Sequence, residues 1–291
     1  MADNCGPVAN PKRIVSLSPS CTEILFAVGA GTRIVGVTDY CNYPDEVEAH
    51  VESGETMRVG GYWNPSTKSV VDLKPDLVLV STAQCTVKTN NCKTNCSQKC
   101  ELTVQAAKKL ENCGIPVLIL APHSLDDVLD DIVSVGKATG NVAEARSLVG
   151  NLKQRIERVA AKSNAASHKP KVYFEVWNDP YMSVNSGTWI GDLIKLAGGV
   201  NVFGEAVSEW PITTSEDIIR RNPDVMVFPV VPDVPPFWGS FEAVKKRHGW
   251  SNITAVRNGC LYELPRDCIS RPGPRLVESL EMLEQMIRAS S

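Results

Sequence analysis

Four closely spaced cysteines are the residues of this chain whose type and spacing most directly allow chemistry. They lie in one polar run, Cys85-Thr-Val-Lys-Thr-Asn-Asn-Cys92-Lys-Thr-Asn-Cys96-Ser-Gln-Lys-Cys100. On a helix, positions 92, 96 and 100 would share a face, and four thiolates could enclose zinc or a cluster. The spacing is not the usual C-x2-C knuckle. Three readings stay open: a metal or soft-ligand site, disulfides that pin a polar loop, or free thiols without a defined role. The chain has ten cysteines in all. Cys21, Cys113 and Cys260 stand in apolar surroundings and are expected to be small buried core residues. An even count would also allow disulfides in an oxidising compartment, although a chain of this length does not need them.

Other chemistry is thin. There is no nucleophile elbow, no glycine-rich phosphate loop directly after a strand and no His-Glu metalloprotease motif. Gly29 and Gly31 end a helical pattern instead of opening one. An enzyme would therefore have to be a thiol-dependent one built on residues 85–100, and the expectation is a chain that catalyses nothing. Of the four histidines, His50, His168 and His248 occupy polar or linker positions and are expected in solvent. His123 follows Ala-Pro at a strand end, where it could start a helix, contact a ligand or reach a metal carried by one. A net charge of −3 gives no footprint for nucleic acid. No apolar stretch approaches a transmembrane length. The N-terminal residues lack the apolar core of a secretory signal, so the expectation is a cytoplasmic chain, or a periplasmic or extracellular one if a leader was removed.

The elements that must position any site come from a duplicated pattern. Residues 70–81 read Val-Val-Asp-Leu-Lys-Pro-Asp-Leu-Val-Leu-Val-Ser, and residues 218–229 read Ile-Ile-Arg-Arg-Asn-Pro-Asp-Val-Met-Val-Phe-Pro. Each is a helix tail stopped at X-Pro-Asp and followed by a short apolar run that suits a buried strand. Pro75 and Pro223 lack an amide hydrogen and push their predecessors out of the helical region. Strands are expected at Arg13–Leu17, Ile34–Val37, Asp76–Val80, Val117–Leu120, Val172–Val176, Val225–Phe228 and Leu261–Leu264. The helix after the first strand has Ser20 as candidate cap, with Glu23 at capping-box spacing. From Val142 to about Ser167, Ala145, Leu148, Val149, Leu152, Ile156, Val159 and Ala160 lie on one helical face. The chain reads as α/β: a lobe over 1–141, one long interdomain helix over 142–168 and a second lobe over 169–291, each with a mostly parallel sheet. A cleft between two lobes is a common place to bind a small molecule.

The order of motifs resembles the cobalamin-binding members of the two-lobe substrate-binding proteins of bacterial uptake transporters. The resemblance rests on Ile14-Val-Ser-Leu-Ser-Pro-Ser-Cys-Thr-Glu-Ile-Leu25, Val35-Gly-Val-Thr-Asp-Tyr-Cys-Asn-Tyr-Pro44 and Val59-Gly-Gly-Tyr-Trp-Asn-Pro65. It continues through Leu73-Lys-Pro-Asp-Leu-Val-Leu79, Glu209-Trp-Pro211 and Ser270-Arg-Pro-Gly-Pro-Arg275, nearly the whole chain in order. It implies two α/β lobes joined by a long helix, and a corrinoid ligand such as cobalamin with no obligatory cofactor. Haem, siderophore and metal-ion receptors of the same fold are the alternatives.

Corrin is a broad, largely apolar disc with an amide fringe, so its receptor needs flat hydrophobic walls and a few hydrogen-bonding groups. By similarity, Pro19, Tyr40, Tyr62 and Trp63 would form the first wall, and Trp177 and Trp210 the second. Asp267 and Arg271 would supply polar contacts, and Trp189 is a further candidate. Each aromatic has a plainer alternative as a core residue. The resemblance also implies an ABC-transporter permease partner that meets a surface glutamate on each lobe. Glu216 matches in the second lobe. In the first, Lys68 has the opposite sign and would repel permease arginines. A soluble monomeric carrier is the other outcome.

Overall fold

A computed structural model describes residues 10–82, 96–164, 166, 168–232 and 234–290, with the side chains of 96–102 outside the description. These residues divide into two compact units. The first comprises residues up to Pro122 together with Asp126–Asn151; the second comprises His123–Leu125 and everything from Leu152 onward.

In the first unit the chain runs β1 (Ile14–Ser16), α1 (Pro19–Ala27), β2 (Ile34–Val37), α2 (Glu46–Glu52), β3 (Met57–Arg58), α3 (Thr67–Asp72), β4 (Leu77–Ser81), α4 (Cys96–Asn112), β5 (Val117–Leu120) and α5 (Leu125–Thr139). The strands lie in the order β3-β2-β1-β4-β5, and every pair is parallel. Strands β1 and β4 are buried along their whole length, as a sheet covered on both faces requires. Val15, Leu17, Val78 and Val80 pack there against Val70, Ala107 and Leu110 of the flanking helices.

Helix α6 (Val142–Asn164) starts in the first unit and ends in the second. Its 23 residues span about 34 Å at 1.5 Å per residue. Ala145, Val149, Leu152 and Val159 on the apolar face are buried. The second unit continues with β6 (Lys171–Phe174), β7 (Trp177–Asn178), β8 (Tyr181–Met182), α7 (Trp189–Leu196), β9 (Val200–Asn201), α8 (Ser215–Arg221) and β10 (Val225–Val230). It closes with α9 (Phe241–Lys245), α10 (Thr254–Asn258), β11 (Leu261–Pro265), α11 (Arg266–Ser270) and α12 (Leu276–Ala289). Its sheet has the order β11-β10-β6-β9, again parallel, with β7 and β8 forming a separate hairpin.

The duplicated X-Pro-Asp has one physical task in both units. Lys74 and Asn222, the residues before proline, turn the chain out of helix at φ of 47° and 45°. The aspartate then ties the new strand to its neighbour. Asp76 donates its amide to the Arg13 carbonyl, and its carboxylate accepts from the Lys12 and Arg13 amides at 2.7 and 2.9 Å. Asp224 donates to the Lys171 carbonyl and accepts from the Lys171 amide at 2.8 Å. One motif thus sets the register of β4 on β1 and of β10 on β6.

Some local expectations are corrected. Ser18, not Ser20, precedes α1, and Pro19 takes its first position, where a missing amide hydrogen costs nothing. The Ser20 hydroxyl instead meets the Ser18 hydroxyl at 2.9 Å. Cys21 is buried, but Cys113 is exposed just past the end of α4, and Cys260 is half-buried after α10. His50 packs its ring against Phe26 at 5.8 Å instead of standing free in solvent.

Candidate functional site

In an open parallel sheet, ligands bind outside the carboxyl ends of the strands where the strand order reverses. That point falls between β1 and β4 in the first sheet and between β6 and β10 in the second. Of the residues singled out by sequence, Pro19 follows β1 and Trp177 follows β6, the strands that border these two places.

At the first switch point, the β1–α1 turn is held by buried hydroxyls. Thr22 Oγ1 donates to Ser16 Oγ at 2.8 Å, and Ser16 Oγ donates to the Ser18 carbonyl at 3.0 Å. This fixes Pro19, half-buried, at the head of α1. The segment 59–66 is pinned to β2, with Val59 donating to the Val37 carbonyl and Asp39 to the Gly60 carbonyl, both at 2.9 Å. Gly60 needs its φ of 100°, a value that L side chains rarely adopt. Tyr62 is buried, donates its hydroxyl to the Ser81 carbonyl at 3.0 Å and sets Trp63 edge-on at 4.7 Å. Tyr62 is thus a support, and half-buried Trp63 is the ring left nearer the surface. Tyr40 is 58% exposed.

At the second switch point, β6 runs straight into Glu175, whose side chain is wholly buried. Arg247 grips both of its carboxylate oxygens at 2.6 and 2.9 Å, and Tyr173 donates to it at 3.3 Å. Burial pushes the Glu175 carboxyl up, and Arg247 pulls against that shift. The guanidinium lies over Trp250 at 4.5 Å and Tyr181 at 5.2 Å, and donates to the Trp238 carbonyl at 3.3 Å. One residue earlier, Asn178 Nδ2 donates to the Phe237 carbonyl at 2.7 Å. The Phe237 ring stacks on Trp177 at 4.8 Å and 23°, and Trp177 remains 39% exposed. Its indole N–H is spent on the Asp179 carbonyl at 2.9 Å, so what it offers is a fixed aromatic face.

Trp210 is only 8% exposed and packs edge-on at 5.7 Å against buried Trp189, which donates to the Ile269 carbonyl. These two form a wedge beneath the surface. Beside them, His123 Nδ1 meets Glu209 Oε1 at 2.7 Å. Asp267 and Arg271, past the end of β11, form an ion pair at 2.6 Å.

Lys68 and Glu216 occupy matching places. Each is the second residue of the helix that precedes an X-Pro-Asp break, after a cap made by Ser66 or Thr214, and each is exposed. The charge at this repeated position is therefore opposite in the two units.

Cys85 and Cys92 lie outside the described residues; Cys96 and Cys100 belong to the first turns of α4, with their side chains outside the description. Among the described residues, no group of three His, Cys, Asp or Glu side chains is placed to hold a metal ion. No described helix is long and apolar enough to cross a membrane. Sequence reasoning missed Glu175, Arg247 and Phe237; the Glu-x-Trp placement directly after a strand is a linear signal for Glu175 alone.

Residues 14–268 match the family described as "Periplasmic binding protein". An uncharacterized ABC transporter substrate-binding lipoprotein, YvrC of Bacillus subtilis, is 31% identical over 95% of this chain and 80% of its own length. A vitamin B12-binding protein of Vibrio cholerae is 25% identical over 94% of this chain and 87% of its own length. A solved Staphylococcus epidermidis structure, described as a possible iron-binding (periplasmic solute-binding) protein, superposes with a TM-score of 0.76 at 28% identity. It covers 96% of this chain and 99% of that one.

Proposed function

We propose that this chain, which belongs to the periplasmic binding protein family, is a non-catalytic capture protein for a flat macrocyclic ligand of the corrinoid class. The observation that carries the reading is the Trp177–Phe237 pair, a stacked aromatic face held at the second switch point by Asn178 and buttressed by the buried Glu175–Arg247 pair. Such a face suits a broad apolar disc, and little of its cost need be met on binding, because its backbone is already tied down. Within the first unit, Tyr40, Trp63 and Pro19 are ligand-contact candidates by the same reasoning. Asp267 and Arg271 would meet the polar fringe. The relatives support the reading, since one at 25% identity is named for vitamin B12.

A transporter permease is the fitting partner, with Glu216 as its contact on the second unit and Lys68 as a departure on the first. An extracytoplasmic location belongs to the same reading, and the relative named a substrate-binding lipoprotein supports it. Haem is the second reading: the well-exposed Tyr40 phenol is a group that can ligate iron, and a 28% identical structure is described as a possible iron-binding protein.

The test is Trp177→Ala. A partly exposed aromatic anchor of this kind is worth about 2 kcal/mol or more, so cobalamin affinity should fall about 30-fold. Affinity within two-fold of the unaltered chain would remove Trp177 from the site.

A further inference from the structure

A second concavity in the C-terminal unit has a chemistry of its own. It is a groove of about 530 Å³ beside the edge strand β9, ringed by Lys169, Lys171, Lys195 and Arg221 against one carboxylate, Glu205. The cations reach it from three elements. Lys169 and Lys171 flank the start of β6, Lys195 sits in the last turn of α7 and Arg221 ends α8. In a parallel α/β unit, helices end where strands begin, so these groups gather at the amino ends of the strands. The aromatic site lies past their carboxyl ends.

Three observations set the groove apart from an ordinary charged surface. The whole chain carries a net charge of −3, so this cationic excess is local. Among the described residues, the ammonium groups of Lys169, Lys171 and Lys195 form no ion pair. Arg221 is held in place, with Nη1 on the Val202 carbonyl at 2.6 Å and the guanidinium over Phe203 at 4.5 Å; its other nitrogens have no partner among the described residues. A favourable helix dipole accounts for one cation at the end of α7 and one at the end of α8. It does not account for two lysines at the start of a strand facing the same concavity. Gly199 and Gly204 let the wall of the groove pack closely: a Cβ would come within 2.6 Å of buried Val172 at the first and of the Ser186 hydroxyl at the second.

We infer that this groove binds a small multivalent phosphate-bearing anion. Three ammonium groups and one pinned guanidinium match the charge of a di- or triphosphate, and a guanidinium pairs with phosphate in bidentate fashion. The phosphates could belong to a free oligophosphate or to a lipid headgroup. The inference stands apart from the proposed ligand of the aromatic site.

Calorimetric titration of the full chain with inorganic pyrophosphate, in low and in physiological salt, tests it. One-to-one binding that weakens with salt is expected. Lys171→Gln with Lys195→Gln should weaken it at least about ten-fold, and Glu205→Gln should tighten it. A parallel arm uses sedimentation with vesicles of phosphatidic acid, whose phosphomonoester headgroup is multivalent, in phosphatidylcholine. Pyrophosphate binding assigns a free anion. Vesicle binding without pyrophosphate binding, lost in the double variant, assigns a headgroup. Absence of both, or binding that the double variant leaves unchanged, overturns the inference.

Discussion

Replacing Arg247 by alanine is expected to destabilise the second unit by about 3–5 kcal/mol, because it strips a wholly buried carboxylate of its charge partner. Glu175 would keep only the Tyr173 hydroxyl, at 3.3 Å. The guanidinium also fills the space between Trp250 and Tyr181, so the variant loses packing as well as charge. Removing both partners should cost much less than the two single losses together: Glu175→Leu with Arg247→Met leaves no unpaired buried charge. Urea unfolding of the three variants measures this. An Arg247→Ala loss below about 1 kcal/mol would mean that water reaches Glu175 and that the pair is not the brace described.

The second large effect is pH-dependent and lies in the first unit. Asp131, half-buried on α5, is raised from 3.8 to about 7, first by burial and then by the charges of Asp127 and Asp130. A folded-state carboxyl that holds its proton more tightly makes the folded chain bind more protons than the unfolded one between about pH 4 and 7. Stability from this group is therefore greatest below that window and falls as pH rises through it. Asp131→Asn removes the penalty. The variant should match the unaltered chain near pH 4 and exceed it by about 2 kcal/mol at pH 8, after allowance for partial exposure. Urea midpoints at the two pH values check this, and a difference that does not change with pH would contradict it.

Much of the fold was legible because its signals are local. Pro75 and Pro223 end α3 and α8, and the apolar runs after them are β4 and β10. The periodicity over Ala145–Val159 marks the buried face of α6. The role of Asp76 and Asp224 was not legible, since each acts on a backbone more than 50 residues earlier. Ser20 has a better capping-box spacing than Ser18, but Pro19 sets the helix start one residue before it.

The site divides the same way. Aromatics after strands, such as Trp177, could be picked out by eye, whereas their exposure could not. Trp210 is packed edge-on against Trp189, and Tyr62 holds the Ser81 carbonyl. Arg247 stands in a Lys-Lys-Arg-His run that reads as solvated surface. Nothing linear tells that Glu175, 72 residues earlier, captures it.

The most direct test of the central claim is titration of the purified chain with cobalamin and with haem, followed by visible absorbance and calorimetry under reducing conditions. The account predicts saturable one-to-one binding of cobalamin, tighter than that of haem. Binding of haem alone, or of neither, would contradict it.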